Sequence, residues 1–189
     1  MKKIRILLIA LGIAAQFAAL SSILVKREMI LRYGEVHRFK TAPVDPYDPF
    51  RGRYVALGFD IESKPIETPR VFYYDQYCYA QLGADSNGFA TVEALFSEKP
   101  EGGSYIKTQI RYSYASNETS YLIKLPFDRF YMPEKLAPEA ERAYQKANRR
   151  GDTQSAAAVV RVWRGDAVIQ DLEINGVPIL EYLKNTNPK

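Results

Sequence analysis

The chain has 189 residues, of which 47% are hydrophobic and 25% are charged, and its net charge is +4. This length suits one ordinary domain, or two small ones, with an appendage. Five of the 26 basic residues lie before residue 28, where no acidic residue occurs, so the rest of the chain carries 21 basic and 22 acidic side chains. A balance so close to neutral argues against a nucleic-acid-binding surface.

The chain contains one cysteine, Cys78, and one histidine, His37. One cysteine allows no internal disulfide, and the pair cannot build the usual zinc sites. Asp45 and Asp48 each precede a proline, where aspartate more often caps its own turn than binds calcium. We therefore expect no metal and no cofactor, and we interpret His37 as a polar position on the first strand.

An uncharged apolar stretch covers residues 6–25, which is long enough to cross a hydrocarbon core as a helix. Apolar residues continue past the small pair Ala18 and Ala19, a pattern that favours an uncleaved anchor over a signal peptide. We therefore predict a transmembrane anchor with basic flanks over residues 1–27. A short basic tail before a first apolar helix usually stays in the cytoplasm, so we expect residues 28–189 on the extracytoplasmic side.

From Glu35 onwards the chain consists mostly of short alternating stretches separated by turn residues. The candidate strands are 36–40, 54–61, 71–81, 91–97, 105–115 and 121–125. Connections of hairpin length between such strands are typical of an antiparallel β-sandwich or barrel.

The segment Asp45 to Ile61, DPYDPFRGRYVALGFDI, combines two Asp-Pro turns with a strand of alternating side chains. Its part GRYVALGF resembles the signature of the bacterial GDYXXLXY proteins, small membrane-anchored proteins with no established activity. The motif residues are Asp48, Gly52, Arg53, Tyr54, Leu57 and Phe59. Arg53 stands where the family has an acid, and Phe59 stands where it has a second tyrosine. Because replacing the acid with arginine inverts a charge, we interpret the motif as structural.

This resemblance has implications for location and partner. It implies a bacterial inner-membrane protein, and similar proteins are often encoded beside multi-spanning membrane proteins of unknown function. A multi-spanning membrane protein is therefore the expected partner, with the exposed edge of a sheet or an aromatic patch as the contact surface.

Three tyrosines, Tyr73, Tyr77 and Tyr79, alternate along the predicted strand 71–81 and would share one of its faces. Such a face could stack a sugar or a peptide, although it is more often the lining of a small barrel. A periplasmic ligand-binding module is accordingly the alternative function.

Ser104 and Lys107 have the S-x-x-K spacing of serine acyltransferases. That chemistry needs the serine at a helix start, whereas a strand beginning here would direct the two side chains to opposite faces. An anchored Ser/Lys hydrolase is therefore kept only as a second alternative, with no other catalytic residues.

The last third of the chain predicts one short surface helix and a hairpin. Pro138 suits the first helical position, and Gly151 suits the residue just beyond the end. A hairpin follows over 158–163 and 167–174. A weak resemblance between this hairpin and the motif strand raises the option of two small β-units with a boundary near 133–157.

These observations predict a mainly β protein, in which an N-terminal transmembrane helix precedes an antiparallel sandwich or barrel with one short surface helix. We expect it to act as a non-enzymatic accessory or interaction module, because no recognisable catalytic set accompanies the anchor.

Overall fold

The computed structural model describes residues 2–43, 54–113, 120–149 and 155–186. The two Asp-Pro turns and the motif residues Asp48, Gly52 and Arg53 lie outside these ranges, as does Gly151. The motif residues Tyr54, Leu57 and Phe59 lie inside them.

The first element is a helix of 32 residues, α1 (Lys2–Tyr33), which is about 48 Å long at 1.5 Å per residue. Its section Leu8–Tyr33 is the one helix in the described residues that is long and apolar enough to cross a membrane. Large apolar side chains such as Phe17 and Leu24 project outward along it, with 68% and 70% of their surface exposed. The helix continues beyond the apolar stretch, and near its end Ile30 is buried.

The remaining elements are mostly short strands. In chain order they are β1 (Glu35–Ala42), β2 (Tyr54–Ala56), β3 (Gly58–Phe59), a 3₁₀ helix (Asp60–Ser63), β4 (Ile66–Glu67), β5 (Tyr77–Ala84), β6 (Ala90–Phe96), β7 (Tyr105–Ser113), β8 (Ser120–Lys124), β9 (Arg129–Tyr131), α2 (Ala137–Ala147), β10 (Ala156–Trp163), β11 (Asp166–Ile174), β12 (Val177–Pro178) and α3 (Ile179–Thr186).

The strands form two five-stranded antiparallel sheets and one two-stranded sheet. The first has the order β12-β11-β10-β1-β3, the second has the order β4-β8-β7-β5-β6, and β2 pairs with β9. The two large sheets meet where the Lys107 N–H donates to the Gly165 carbonyl at 2.8 Å. The predicted fold class, a mainly β protein with an antiparallel sandwich or barrel behind an apolar helix, is confirmed.

One apolar core lies between the large sheets. It receives alternate residues of the strands, such as Cys78, Ala80 and Leu82 on β5, as half-buried strands require. Within the core, Phe39, Phe59 and Phe127 pack edge to face with ring centroids 5.2–6.1 Å apart. The helix α2 covers part of this core with Ala140, Tyr144 and Ala147.

Two predicted strands differ from the structure, and four short elements, β4, β9, β12 and α3, were not predicted. The predicted strand 54–61 is divided between β2, β3 and the 3₁₀ helix, because the chain changes partner there: β2 pairs with β9, whereas β3 pairs with β1. The predicted strand 71–81 begins only at Tyr77, since the chain turns at Asp75, where φ is +66°. The helix α3 was not predicted from sequence.

Candidate functional site

The motif strand β2 is paired with β9 through its full length. Tyr54 lies opposite Tyr131, Val55 opposite Phe130 and Ala56 opposite Arg129. The rings of Tyr54 and Tyr131 are 5.7 Å apart, and the Arg129 guanidinium lies 5.1 Å from the Tyr54 ring centroid. The motif tyrosine therefore fixes the position of β9 through both its backbone and its ring.

Arg129 is an exposed cation held in place by its neighbours. A hydrogen bond with the Tyr131 side chain, and the Asp128 carboxylate 3.5 Å away, raise the pKa of Arg129 above its usual value. The side chain thus stays charged at any physiological pH while its direction is set by Tyr54, Asp128 and Tyr131.

The other described motif residues face the core. Leu57 and Phe59 are buried, and the N–H of the intervening Gly58 donates to the Tyr144 hydroxyl at 3.3 Å. That hydroxyl in turn donates to the Ala42 carbonyl at 2.9 Å, and burial raises the pKa of Tyr144 to about 12. Tyr144 thereby ties α2 to the β1–β3 pair, where Ala42 and Gly58 lie opposite each other.

The end of α1 is packed closely against the interior strands β10 and β11 of the first sheet. A Cβ atom on Gly34 would overlap the Ile30 carbonyl oxygen and would lie 3.1 Å from both the backbone N and the backbone O of Val162. Arg161 donates to the Gly34 carbonyl at 3.0 Å, and Lys26 pairs with Asp166 at 2.8 Å. The helix therefore packs directly on β10 and β11, and only Gly34 separates it from β1 in the chain.

A groove lies between the end of α1 and the β domain. We call it the junction groove, and its volume is about 740 Å³. It is lined by Ile23, Lys26, Arg27 and Ile30 of α1, by residues 126–131 and by residues 167–170. The strand β9 forms one wall of the groove, and the motif strand β2 pairs with β9.

The three predicted face tyrosines have different environments. Tyr73 lies in the turn before β5, Tyr77 is the first residue of that strand, and Tyr79 is half-buried with its ring 5.9 Å from that of Tyr105. The alternation of Tyr77 and Tyr79 agrees with the sequence, whereas Tyr73 is outside the strand.

An exposed apolar surface results from this turn. We call residues 71–77 the Tyr loop, and its side chains Val71, Tyr73, Tyr74 and Tyr77 are 62–75% exposed. The Lys107 ammonium lies 4.7 Å from the Tyr77 ring centroid. Exposed apolar side chains grouped in one loop are typical of a contact surface.

Ser104 and Lys107 have different partners. Ser104 Oγ and His37 Nε2 share a hydrogen bond of 2.7 Å, while the Lys107 ammonium lies over Tyr77. The sequence did not indicate the Ser104–His37 pair, because the two residues are 67 positions apart: His37 is in β1 and Ser104 just precedes β7 of the other sheet.

The Ser104–His37 pair has only part of a hydrolytic arrangement. Burial lowers the pKa of His37, so its ring is neutral at pH 7 and could accept the serine proton. The nearest carboxylate, that of Glu35, lies 3.9 Å from the same Nε2 and not beside Nδ1, where a triad would need it. Neither Ser104 nor His37 lines the junction groove.

A second cavity, of about 390 Å³, lies beside Asp60, Lys64, Glu67 and Glu93. Asp60 and Lys64 form an ion pair at 2.7 Å across part of it. In the described ranges, no three His, Cys, Asp or Glu side chains come together as metal ligands.

Comparison with curated proteins gives no match, and comparison with solved structures gives none either. The model of the GDYXXLXY protein family matches residues 16–172, a span that includes the end of the apolar helix, the motif strand, the groove wall and most of β11. Because this match covers well over half of the chain, the protein belongs to the GDYXXLXY family.

Proposed function

We propose that this protein is a membrane-anchored, non-enzymatic accessory module that docks on a multi-spanning protein of the bacterial inner membrane, with its β domain on the extracytoplasmic side. The observation that carries the proposal is the close packing of the end of α1 on the first sheet, where Gly34 lies against the Val162 backbone. A domain joined to its helix without a linker is held at a fixed height and orientation beside its neighbours. Confinement of this kind raises the effective concentration of even a weak contact surface.

The Tyr loop is the surface best suited to the docking contact. Tyrosine supplies a large apolar area with little side-chain entropy to lose, and its hydroxyl can find a partner at the rim of an interface. Tyr73 and Tyr74, at 75% exposed each, offer the most such area in this loop.

The chemistry of Ser104 supports a binding role over hydrolysis. Its hydroxyl is held by His37, and among the described residues no hydrogen bond orients the other ring nitrogen of that histidine. A serine nucleophile normally needs a base whose tautomer is fixed by a third group, so this pair is better suited to joining β1 to the start of β7.

A ligand-binding module remains the second candidate because one cavity adjoins Tyr77. This cavity, of about 290 Å³, is also lined by Lys107, Gln109, Lys124 and Asp128. Two aromatic rings, Tyr77 and Phe127, and two lysines against one carboxylate suit a small anionic ligand.

Purification of the full-length protein from membranes after mild crosslinking tests the docking proposal. We expect a multi-spanning protein to copurify with the wild type and to be lost from the Tyr73→Ser/Tyr74→Ser variant. Leu180→Ser is the matched control, because Leu180 is an exposed apolar residue outside the Tyr loop. Equal recovery of the same proteins with both variants would count against docking through this loop.

A further inference from the structure

We propose that the junction groove binds the headgroup of an anionic phospholipid from the bilayer that α1 crosses. This inference rests on the proposed membrane insertion of α1, and it adds a lipid site that is separate from the docking surface on the Tyr loop.

The groove lies at the level of the headgroups. Along α1 it extends from Ile23 to Ile30, a distance of about 10 Å at 1.5 Å per residue. Ile23 belongs to the apolar stretch, and Lys26 is the first charged residue after it. The polar region of each leaflet is roughly 5–8 Å deep, so the groove spans the boundary between hydrocarbon and water.

The charges that line the groove favour an anion. Lys26 pairs with Asp166, and Arg129 lies beside Asp128, whereas Arg27 has no ion pair among the described residues. Three cations, Lys26, Arg27 and Arg129, thus stand against two carboxylates, those of Asp128 and Asp166, and one positive charge remains in surplus at the groove. Guanidinium groups bind phosphate oxygens through two parallel N–H bonds, and anionic lipids concentrate near such groups.

The apolar part of the lining suits the glycerol backbone and the first carbons of an acyl chain. Ile23, Phe130 and Val168 lie along the groove together with Tyr131, which is 61% exposed. Tyrosine is enriched at the membrane interface because its ring is apolar and its hydroxyl is polar. A volume of about 740 Å³ is also within the range of sites that hold small molecules, roughly 300–1,000 Å³.

The site is tested with full-length protein reconstituted in phosphatidylcholine vesicles that contain a photoactivatable phosphatidylglycerol. After illumination, we expect labelled peptides from residues 23–30 and 126–131. Labelling should fall at least fivefold in Arg27→Gln/Arg129→Gln, and Arg27→Lys/Arg129→Lys should retain most of it because the charge is kept. Arg142→Gln, which removes an exposed arginine from α2, is the control and should label as the wild type does.

Three arms of this experiment separate the lipid from other occupants. Millimolar inorganic phosphate should leave the labelling unchanged, and its suppression by phosphate would overturn a lipid site in favour of a free-anion site. Equal labelling by a photoactivatable phosphatidylcholine would overturn the preference for anionic lipid. In native membranes, crosslinks from position 27 to an acidic segment of a protein, with no lipid adduct, would assign the groove to that protein and overturn the inference.

Flotation of the reconstituted protein with the vesicles distinguishes this inference from the proposed function. Protein that does not float would contradict membrane insertion itself. Protein that floats but gives no groove labelling, or gives the same labelling in wild type and Arg27→Gln/Arg129→Gln, would overturn the lipid site alone.

Discussion

At the scale of single residues, the described motif positions act through packing and hydrogen bonding. Leu57 and Phe59 are buried, Tyr54 orients Arg129, and Gly58 donates its N–H to Tyr144. Through these two hydrogen bonds, the Tyr144 side chain connects α2 to both β1 and β3. The stability of the motif region should therefore depend on a residue that is 86 positions away from it in sequence.

Tyr144→Phe is expected to destabilise the protein by roughly 1–3 kcal/mol, because the Gly58 N–H and the Ala42 carbonyl would lose a partner in a buried place. Thermal unfolding of the full-length protein in detergent measures the effect. Tyr74→Phe removes an exposed hydroxyl and should change stability by less than about 0.5 kcal/mol. Identical melting of Tyr144→Phe and Tyr74→Phe would show that the hydroxyl does not support the fold.

His37 predicts a dependence of stability on pH. Burial lowers its folded-state pKa, partly offset by the Glu35 carboxylate, so the unfolded chain binds a proton first as the pH falls. The contribution of His37 to stability is thus fully present above its ordinary pKa of about 6.5 and is lost as the pH falls through the lowered folded-state pKa.

Comparison of the wild type with His37→Gln isolates this effect. Between pH 7.5 and pH 5 the wild type should lose more stability in urea unfolding than the variant does. Burial raises the pKa values of Glu62 and Asp171. Protonation of these carboxyl groups therefore favours the folded state as the pH falls, which opposes the effect of His37, but it does so equally in the wild type and the variant. Ser104→Ala should keep the pH effect, and parallel pH curves for wild type and His37→Gln would refute the role of His37.

Local patterns in the sequence predicted which residues are buried, but they did not predict long-range contacts. The alternation of Val55, Leu57, Phe59 and Ile61 correctly predicted four buried residues, although the chain is not one strand there. No local pattern pointed to the bond between His37 and Ser104, since the pair exists only once the two sheets face each other.

At the scale of elements, the junction between α1 and the first sheet depends on a glycine at position 34. The helix ends at Tyr33, β1 begins at Glu35, and Gly34 alone separates them. Backbone atoms of Ile30 and Val162 surround the place where a side chain on residue 34 would begin. Backbone cannot move aside as a flexible side chain can, so this position requires glycine for close approach.

Gly34→Ala should cost roughly 1–3 kcal/mol and should loosen the helix from the sheet, because the added methyl group would overlap the Ile30 carbonyl oxygen and crowd the Val162 backbone. Unfolding in detergent gives the stability, and the rate of tryptic cleavage after Arg32 gives the opening of the junction. Gly12→Ala is the matched control, because its methyl group would meet no atom within 4 Å. Unchanged melting and cleavage in Gly34→Ala would contradict the rigid junction.

Turn chemistry explains why some elements were predictable. Arg164 and Gly165, like Asn175 and Gly176, have positive φ at both central turn positions, which is the geometry expected of tight hairpins. The turn at Asp75 has positive φ at a residue other than glycine, so no turn signal indicated that the strand would start after it. In α3, only Ile179 and Leu183 are buried, too short a pattern to distinguish a helix from a strand.

At the scale of the whole molecule, strands close to each end of the β domain share one sheet. β1 pairs with β10, which follows more than 110 residues later, and the sheet continues through β11, which packs against α1. The core, the motif strand and the apolar helix are thus mechanically linked. A composition that is nearly neutral beyond residue 27 and rich in short strands predicted the class of this fold, but strand order depends on contacts that composition does not encode.

Because this linkage fixes the β domain relative to its helix, we propose that the helix presents the domain to another membrane protein. The most direct measurement is photo-crosslinking in intact membranes from a reactive residue at position 74, with position 146 on α2 as an exposed control. The claim predicts an adduct with a multi-spanning membrane protein from position 74 and not from position 146. Recovery of the chain without any protein adduct at position 74, or with the same adducts from both positions, would contradict it.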